Sequence, residues 1–153
     1  MRLSTFTDYS LRVLMYLAVQ PDRRATIAEI ATVFGVSEHH LTKVVHFLGQ
    51  QGWLATLRGK GGGVSLARTP ADIGVGSVVR QTEGPDVLAE CFEETGGACA
   101  IAPVCRLRGV LDDAVKAFYA VLDGHTLADL VSNRQTLGRV LFLDRAAGEK
   151  RRA

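Results

Sequence analysis

The chain is 153 residues long and 47% hydrophobic, with 18 Lys/Arg against 16 Asp/Glu and a formal net charge of +2. That length supports one domain, or a small domain plus a second element, around a real core, and so even a charge balance does not by itself demand a polyanion. No apolar run approaches the roughly 20 residues of a membrane span, the opening "MRLSTFTDYS" lacks the apolar segment of a secretory signal, and the three cysteines are an odd number, so a cytoplasmic, reducing setting with no membrane partner is expected.

Charge is unevenly placed. Residues 1–80 carry nine Lys/Arg against five Asp/Glu, whereas residues 81–153 carry nine against eleven, so the first half is the basic one. Leu3, Phe6, Leu11, Leu14 and Leu17 recur at helical spacing up to Pro21, which predicts an amphipathic helix over 3–19. On it Asp8 precedes Arg12 by four residues, the spacing of a surface ion pair. Thr26 with Glu29 three residues on is a capping box that opens a short helix over 26–34. Gly35 and Val36 make a tight turn, and Ser37 opens a second helix whose Leu41, Val44, Val45 and Leu48 face inward. Two short helices joined by a glycine turn predict a helix-turn-helix. Its outward polar set, Ser37, Glu38, His39, Thr42, Lys43 and His46, supplies candidates for reading base edges in a major groove.

Runs over 53–57 and 64–67 flank "RGKGGG" and predict a β-hairpin wing, which would set Arg58 and Lys60 against the DNA backbone or minor groove. The glycine turn lacks the Walker spacing of a nucleotide-binding loop. The alternative to DNA binding is a solvated helix face beside an ordinary hairpin. Val75, Val78 and Val79 then predict a short helix ending before "EGPD". The expected fold class is thus mainly α: a winged helix-turn-helix over 1–80, a cysteine-bearing loop over 81–105, a dimerisation helix and a C-terminal helix within 106–143, and a frayed basic tail over 144–153.

From Val104 onward, Leu107, Leu111, Ala114, Phe118 and Val121 follow at gaps alternating between 3 and 4, the seam of a heptad and a candidate homodimer contact. A core helix packed within its own chain is the other explanation. A last helix is expected over about 126–132.

All the cysteines fall in "CFEETGGACAIAPVC": Cys91, Cys99 and Cys105. Three thiolates are one short of a tetrahedral metal site. Thiolates hold iron-sulfur clusters, and a missing fourth thiolate leaves one iron with a weaker oxygen ligand or an open position. Zinc held by three cysteines plus Asp or His, and a redox disulfide with a spare thiol, are the rivals, although the paired C-x-x-C knuckles usual for zinc are absent. Pro103 suits the first turn of the long helix, which would bring Cys105 near the helix N-terminus, where free N–H groups favour a thiolate.

Taken together, "MRLSTFTDYSLRVLMYLA", the "RGKGGG" wing, the loop ending "CAIAPVCRL" and the later "TLADL" resemble the NsrR group of winged-helix repressors, relatives of the IscR regulators, over nearly the whole chain. The resemblance implies a homodimeric transcription repressor on a near-palindromic double-stranded DNA operator, with an iron-sulfur cluster in each subunit that senses nitric oxide. A 4Fe-4S cluster is the form expected, with 2Fe-2S as its alternative. Cys91, Cys99 and Cys105 match the ligating cysteines of the group, and Asp8 matches an aspartate that in some members reaches the cluster from the partner subunit. IscR-like proteins use a histidine three residues past the last cysteine, and here that position is Arg108. An IscR-like sensor of cluster or redox status, and a cluster protein in electron transfer, are the competing functions. No acid–base pair or activated nucleophile suggests catalysis, so no enzymatic activity is expected.

Overall fold

The computed structural model describes residues 2–84 and 99–149. Helix α1, Thr5–Val19, begins where the Ser4 hydroxyl accepts the Thr7 N–H at 3.1 Å, a side-chain cap that satisfies one of the orphan donors of the first turn. It is the central element. Val13, Leu14, Tyr16, Leu17 and Ala18 are no more than 2% exposed, and most of the other elements pack against this helix.

Helix α2, Ile27–Phe34, is capped by Thr26, whose hydroxyl accepts the Glu29 N–H at 3.1 Å. It stops at Gly35, which sits at φ +62, a left-handed conformation that glycine adopts without strain. Helix α3, Glu38–Gln50, buries Leu41, Val44, Val45 and Leu48. The inward set expected from its periodicity is therefore the one observed. Strands β1, Leu54–Leu57, and β2, Gly63–Leu66, pair antiparallel, with Leu54 opposite Leu66 and Leu57 opposite Gly63. A third, one-residue strand was not legible beforehand: the Ala25 N–H donates to Val64 O at 3.0 Å, and the Val64 N–H donates to Ala25 O at 2.8 Å.

Helix α4, Val75–Glu83, and the long helix α5, Arg106–Asp123, build a second, smaller cluster of Val75, Val79 and Tyr119 with Val115, Phe118 and Leu122 packed on it. Helix α6, Leu127–Leu130, opens on a reciprocal capping box between Thr126 and Asp129. Helix α7, Arg134–Glu149, follows it. The result is the expected mainly helical winged helix-turn-helix.

Three local expectations are corrected. The last helix does not stop at about 132: α6 is followed by a further helix, α7, which runs to Glu149, while residues 150–153 of the expected tail lie outside the described residues. Its anchor is apolar, since Leu137, Leu141 and Phe142 pack on the main core, and Arg134 Nη2 donates to Ala18 O at 2.9 Å at the end of α1. Pro103 does not open the long helix; it lies in a separate 3₁₀ turn, Ala102–Val104, and α5 starts at Arg106 with Cys105 as its N-cap. Val104, expected at the head of the helical seam, consequently precedes the helix.

Candidate nucleic-acid interface and metal centre

Ser37, Glu38, His39, Thr42, Lys43 and His46 are all exposed on one side of α3. Burying Leu41, Val44, Val45 and Leu48 leaves that side to solvent, because residues three and four apart share a helix face. Ser37 caps α3 without a side-chain hydrogen bond, so its hydroxyl is not committed to the first turn. The Thr42 hydroxyl donates to Glu38 O at 2.8 Å and keeps its lone pairs for a donor outside. His40, which pattern reasoning passed over, is also exposed, its ring 6.1 Å from that of His39. The run "EHH" at the helix start was the signal available for it.

The wing tip is built by glycine. Gly59 and Gly61 adopt φ of +92 and +79, and a Cβ at Gly62 would run into the carbonyl oxygens of Leu57 and Gly59. This tight turn leaves Arg58 and Lys60 exposed, and neither they nor Lys43 has an ion-pair partner among the described residues. Uncommitted cations on a tight turn beside a polar helix face suit a phosphate backbone and an adjacent groove.

Of the cysteines, Cys91 lies outside the described residues. Cys99 is an exposed free thiol, and Cys105 is a half-buried free thiol. As N-cap, Cys105 makes no side-chain hydrogen bond, which leaves the first-turn N–H groups of the 18-residue α5 without a side-chain acceptor. A soft thiolate beside such donors fits a cluster iron by donor chemistry and by the helix dipole. Among the described residues no group of three or more His, Cys, Asp or Glu side chains converges. Asp8 is instead paired within its own helix: Arg12 Nε donates to Oδ1 at 3.0 Å and Nη2 lies 2.7 Å from Oδ2, with the Asp8 side chain 45% exposed. Arg108 is exposed three residues past Cys105.

Along α5 two apolar faces separate. Phe118 turns toward Val75, Val79 and Tyr119 of its own chain, and Leu111 is half-buried. Leu107, Val110, Ala114, Ala117 and Val121 are exposed, Leu107 at 62%, Val110 at 63% and Val121 at 65%. Their gaps are 3, 4, 3 and 4, so the outward row is a heptad seam that shares Leu107, Ala114 and Val121 with the expected one.

A helix-turn-helix with a wing, joined through a cysteine-bearing segment to a long helix, defines a DNA-binding transcription regulator rather than an enzyme. The chain belongs to the Rrf2 family, described as iron-dependent transcriptional regulators, which it matches over residues 3–133. It is similar to an HTH-type transcriptional regulator NsrR of Geobacillus kaustophilus, at 47% identity over 142 residues covering 92% of this chain and 97% of the relative. A regulator of the same name from Bacillus subtilis is 46% identical over 142 residues, with the same coverage of 92% and 97%. The solved structure of T. potens IscR aligns with TM-score 0.70 and 28% identity over 87% of this chain and 88% of that one. CymR (YrzC), described as the global cysteine regulator of B. subtilis, aligns with TM-score 0.67 and 32% identity over 87% and 98% of the two chains.

Proposed function

We propose that the chain is a homodimeric repressor whose affinity for a near-palindromic operator is set by an iron-sulfur cluster that reacts with nitric oxide. The observation that carries this reading is Cys105 as the N-cap of α5, with Cys99 six residues before it, in a chain so similar to regulators named NsrR. Cys91, Cys99 and Cys105 would hold the cluster, and Asp8 of the partner subunit would complete it. A 4Fe-4S form is favoured because three thiolates and one oxygen donor leave a single iron with a replaceable ligand. The cluster, when bound, supplies that iron as the point where a diatomic gas is recognised.

The protein's own residues do the rest. Cys105 couples the cofactor to the start of α5, and the exposed row Leu107, Val110, Ala114, Ala117 and Val121 is the surface on which two copies would pair. The α3 set and the wing cations Arg58 and Lys60 would contact DNA in each copy, which sets the half-sites about one helical turn, or a multiple of it, apart.

The test is an anaerobic absorption spectrum with iron and sulfide counts, followed by gel shift on the DNA upstream of the chain's own gene with stepwise nitric oxide. Bound iron and sulfide, with DNA release that follows loss of the cluster absorption, is the expected result. Zinc alone, or DNA binding indifferent to nitric oxide, overturns the reading.

A further inference from the structure

Beside the wing lies a segment that no role above uses. Residues 21–26 join α1 to α2 and are pinned at three points. Arg23, itself exposed, pairs with a buried carboxylate, its Nη1 2.6 Å from Oε1 of Glu29, whose side chain is 7% exposed. Ala25 exchanges both of its backbone hydrogen bonds with Val64, and Thr26 caps α2. The approach to the wing is close: Gly63 sits at φ +147, and a Cβ there would stand 2.9 Å from Ala25 O and 3.3 Å from Arg24 Cβ. Between this segment and the hairpin is an open hollow of about 580 Å³, with Asp22, Arg23, Arg24, Gly61 and Ser65 on its walls.

Charge on those walls is not evenly committed. Arg23 is met by Glu29, whereas Arg24 is exposed and has no ion-pair partner among the described residues. The Ala25–Val64 bridge sets Arg24 next to Ser65 in the antiparallel ladder, and Gly61 brings the hollow up to the tip that carries Arg58 and Lys60.

We infer that this hollow receives a backbone phosphate of duplex DNA beyond the groove entered by the wing tip, with Arg24 as its cation and Asp22 as the opposing charge that weakens it. The inference rests on the DNA-binding function proposed above. Continuity with the wing selects DNA as the occupant, because a duplex that meets Arg58 and Lys60 carries its phosphates along the same edge. The fixing of the segment favours it too: a cation on a segment held at three points loses little backbone freedom on binding.

Mixed-sequence duplex DNA is the probe, since phosphate contacts dominate non-specific binding. Anisotropy titrations of the full chain over a salt series should show Arg24→Ala binding more weakly, with the slope of log K against log salt reduced by about 0.9 for each protomer on DNA. Its deficit relative to wild type should then shrink about three- to fourfold for each protomer between roughly 50 and 200 mM salt. Asp22→Asn should bind more tightly than wild type. Thermal unfolding of both variants should match wild type, because both side chains are exposed. If both variants keep wild-type affinity and slope while Arg58→Ala weakens binding, the hollow is empty on DNA and the wing assignment stands. If wild type itself fails to bind the duplex, the DNA-binding function falls, and this inference with it.

Discussion

Tyr16 is 2% exposed, and its hydroxyl is accommodated in the core by donating to Oε1 of Glu29 at 2.6 Å. Burial, and then the hydrogen bond to and charge of Glu29, push the Tyr16 phenol up to about 12 from its ordinary 10.0. The unfolded chain therefore gives up this proton first, and between pH of about 10 and 12 the folded state holds one proton more than the unfolded. Stability from this group is fully present below pH 10 and is lost as pH rises through 12. Tyr16→Phe should cost about 1.5–3 kcal/mol near neutrality, the value of a hydrogen bond to a charged acceptor, and should flatten the alkaline fall. Urea unfolding at neutral and alkaline pH measures both. Cys99 is the contrasting case, exposed and outside the core. Cys99→Ser should abolish the iron-sulfur absorption and tight operator binding while the unfolding temperature of the apoprotein changes little; a full cluster in the variant would remove Cys99 from the ligand set. Neither environment was legible from sequence in the same way. The cysteine spacing announced its residue, whereas Tyr16 is one of several apolar positions on α1, and its partner Glu29 was visible only as a capping residue.

At the scale of elements, periodicity gave α1 to α4 to within a few residues, because each has a single apolar stripe and α1 and α2 have side-chain caps as well. It was ambiguous on α5, where Leu107, Val110, Leu111, Ala114, Val115, Ala117, Phe118 and Val121 put apolar groups on more than one face. Two heptad registers fit such a helix, and only the packing of Phe118 on Val75 and Val79 tells them apart. If the exposed row is the proposed dimer contact, Val121→Glu should sediment as a monomer with the fold intact, since that side chain is 65% exposed within the single chain. Phe118→Ala should instead lower the stability of the chain itself, by about 1–3 kcal/mol for a half-buried aromatic, below the 3–5 of a fully buried one. A dimer that survives Val121→Glu with normal DNA binding would place the contact elsewhere. Helix α7 escaped the sequence for a related reason. It has Gly138 in its interior, a weak helix former, although a Cβ there would meet Val19 Cγ1 at an ordinary contact distance of 3.6 Å.

Across the whole molecule, α1 packs against elements on both sides of the cysteine-bearing segment, α3 and α4 before it and α6 and α7 after it. Its start is tied to the end of α4: the Ser4 N–H donates to Glu83 Oε1 at 2.7 Å, and the Thr7 hydroxyl donates to the Thr82 hydroxyl at 2.8 Å. Glu83 lies just before the segment that leads to Cys91. Asp8 stands one turn further along α1, its carboxylate held among the described residues by Arg12, which also lies 5.9 Å over the Phe34 ring of α2. With both side chains nearly half exposed, such a pair contributes only about 0.3–0.5 kcal/mol, so its carboxylate can be given up to a stronger acceptor at small cost. Asp8 of the partner subunit turning from Arg12 to the cluster would link one reading head to the opposite cofactor, and loss of that link would leave the heads in a different arrangement. A switch needs this kind of differential affinity between two states. Asp8→Ala should retain a cluster on the three cysteines, with an altered absorption spectrum and a weakened dependence of operator binding on cluster state. Arg12→Ala should leave the spectrum as in wild type, because it removes a competitor for the carboxylate and not the carboxylate itself. If Asp8→Ala instead equals wild type in spectrum, nitric oxide reactivity and operator affinity, and shares only a small stability loss with Arg12→Ala, Asp8 is a surface ion-pair partner and another group completes the site.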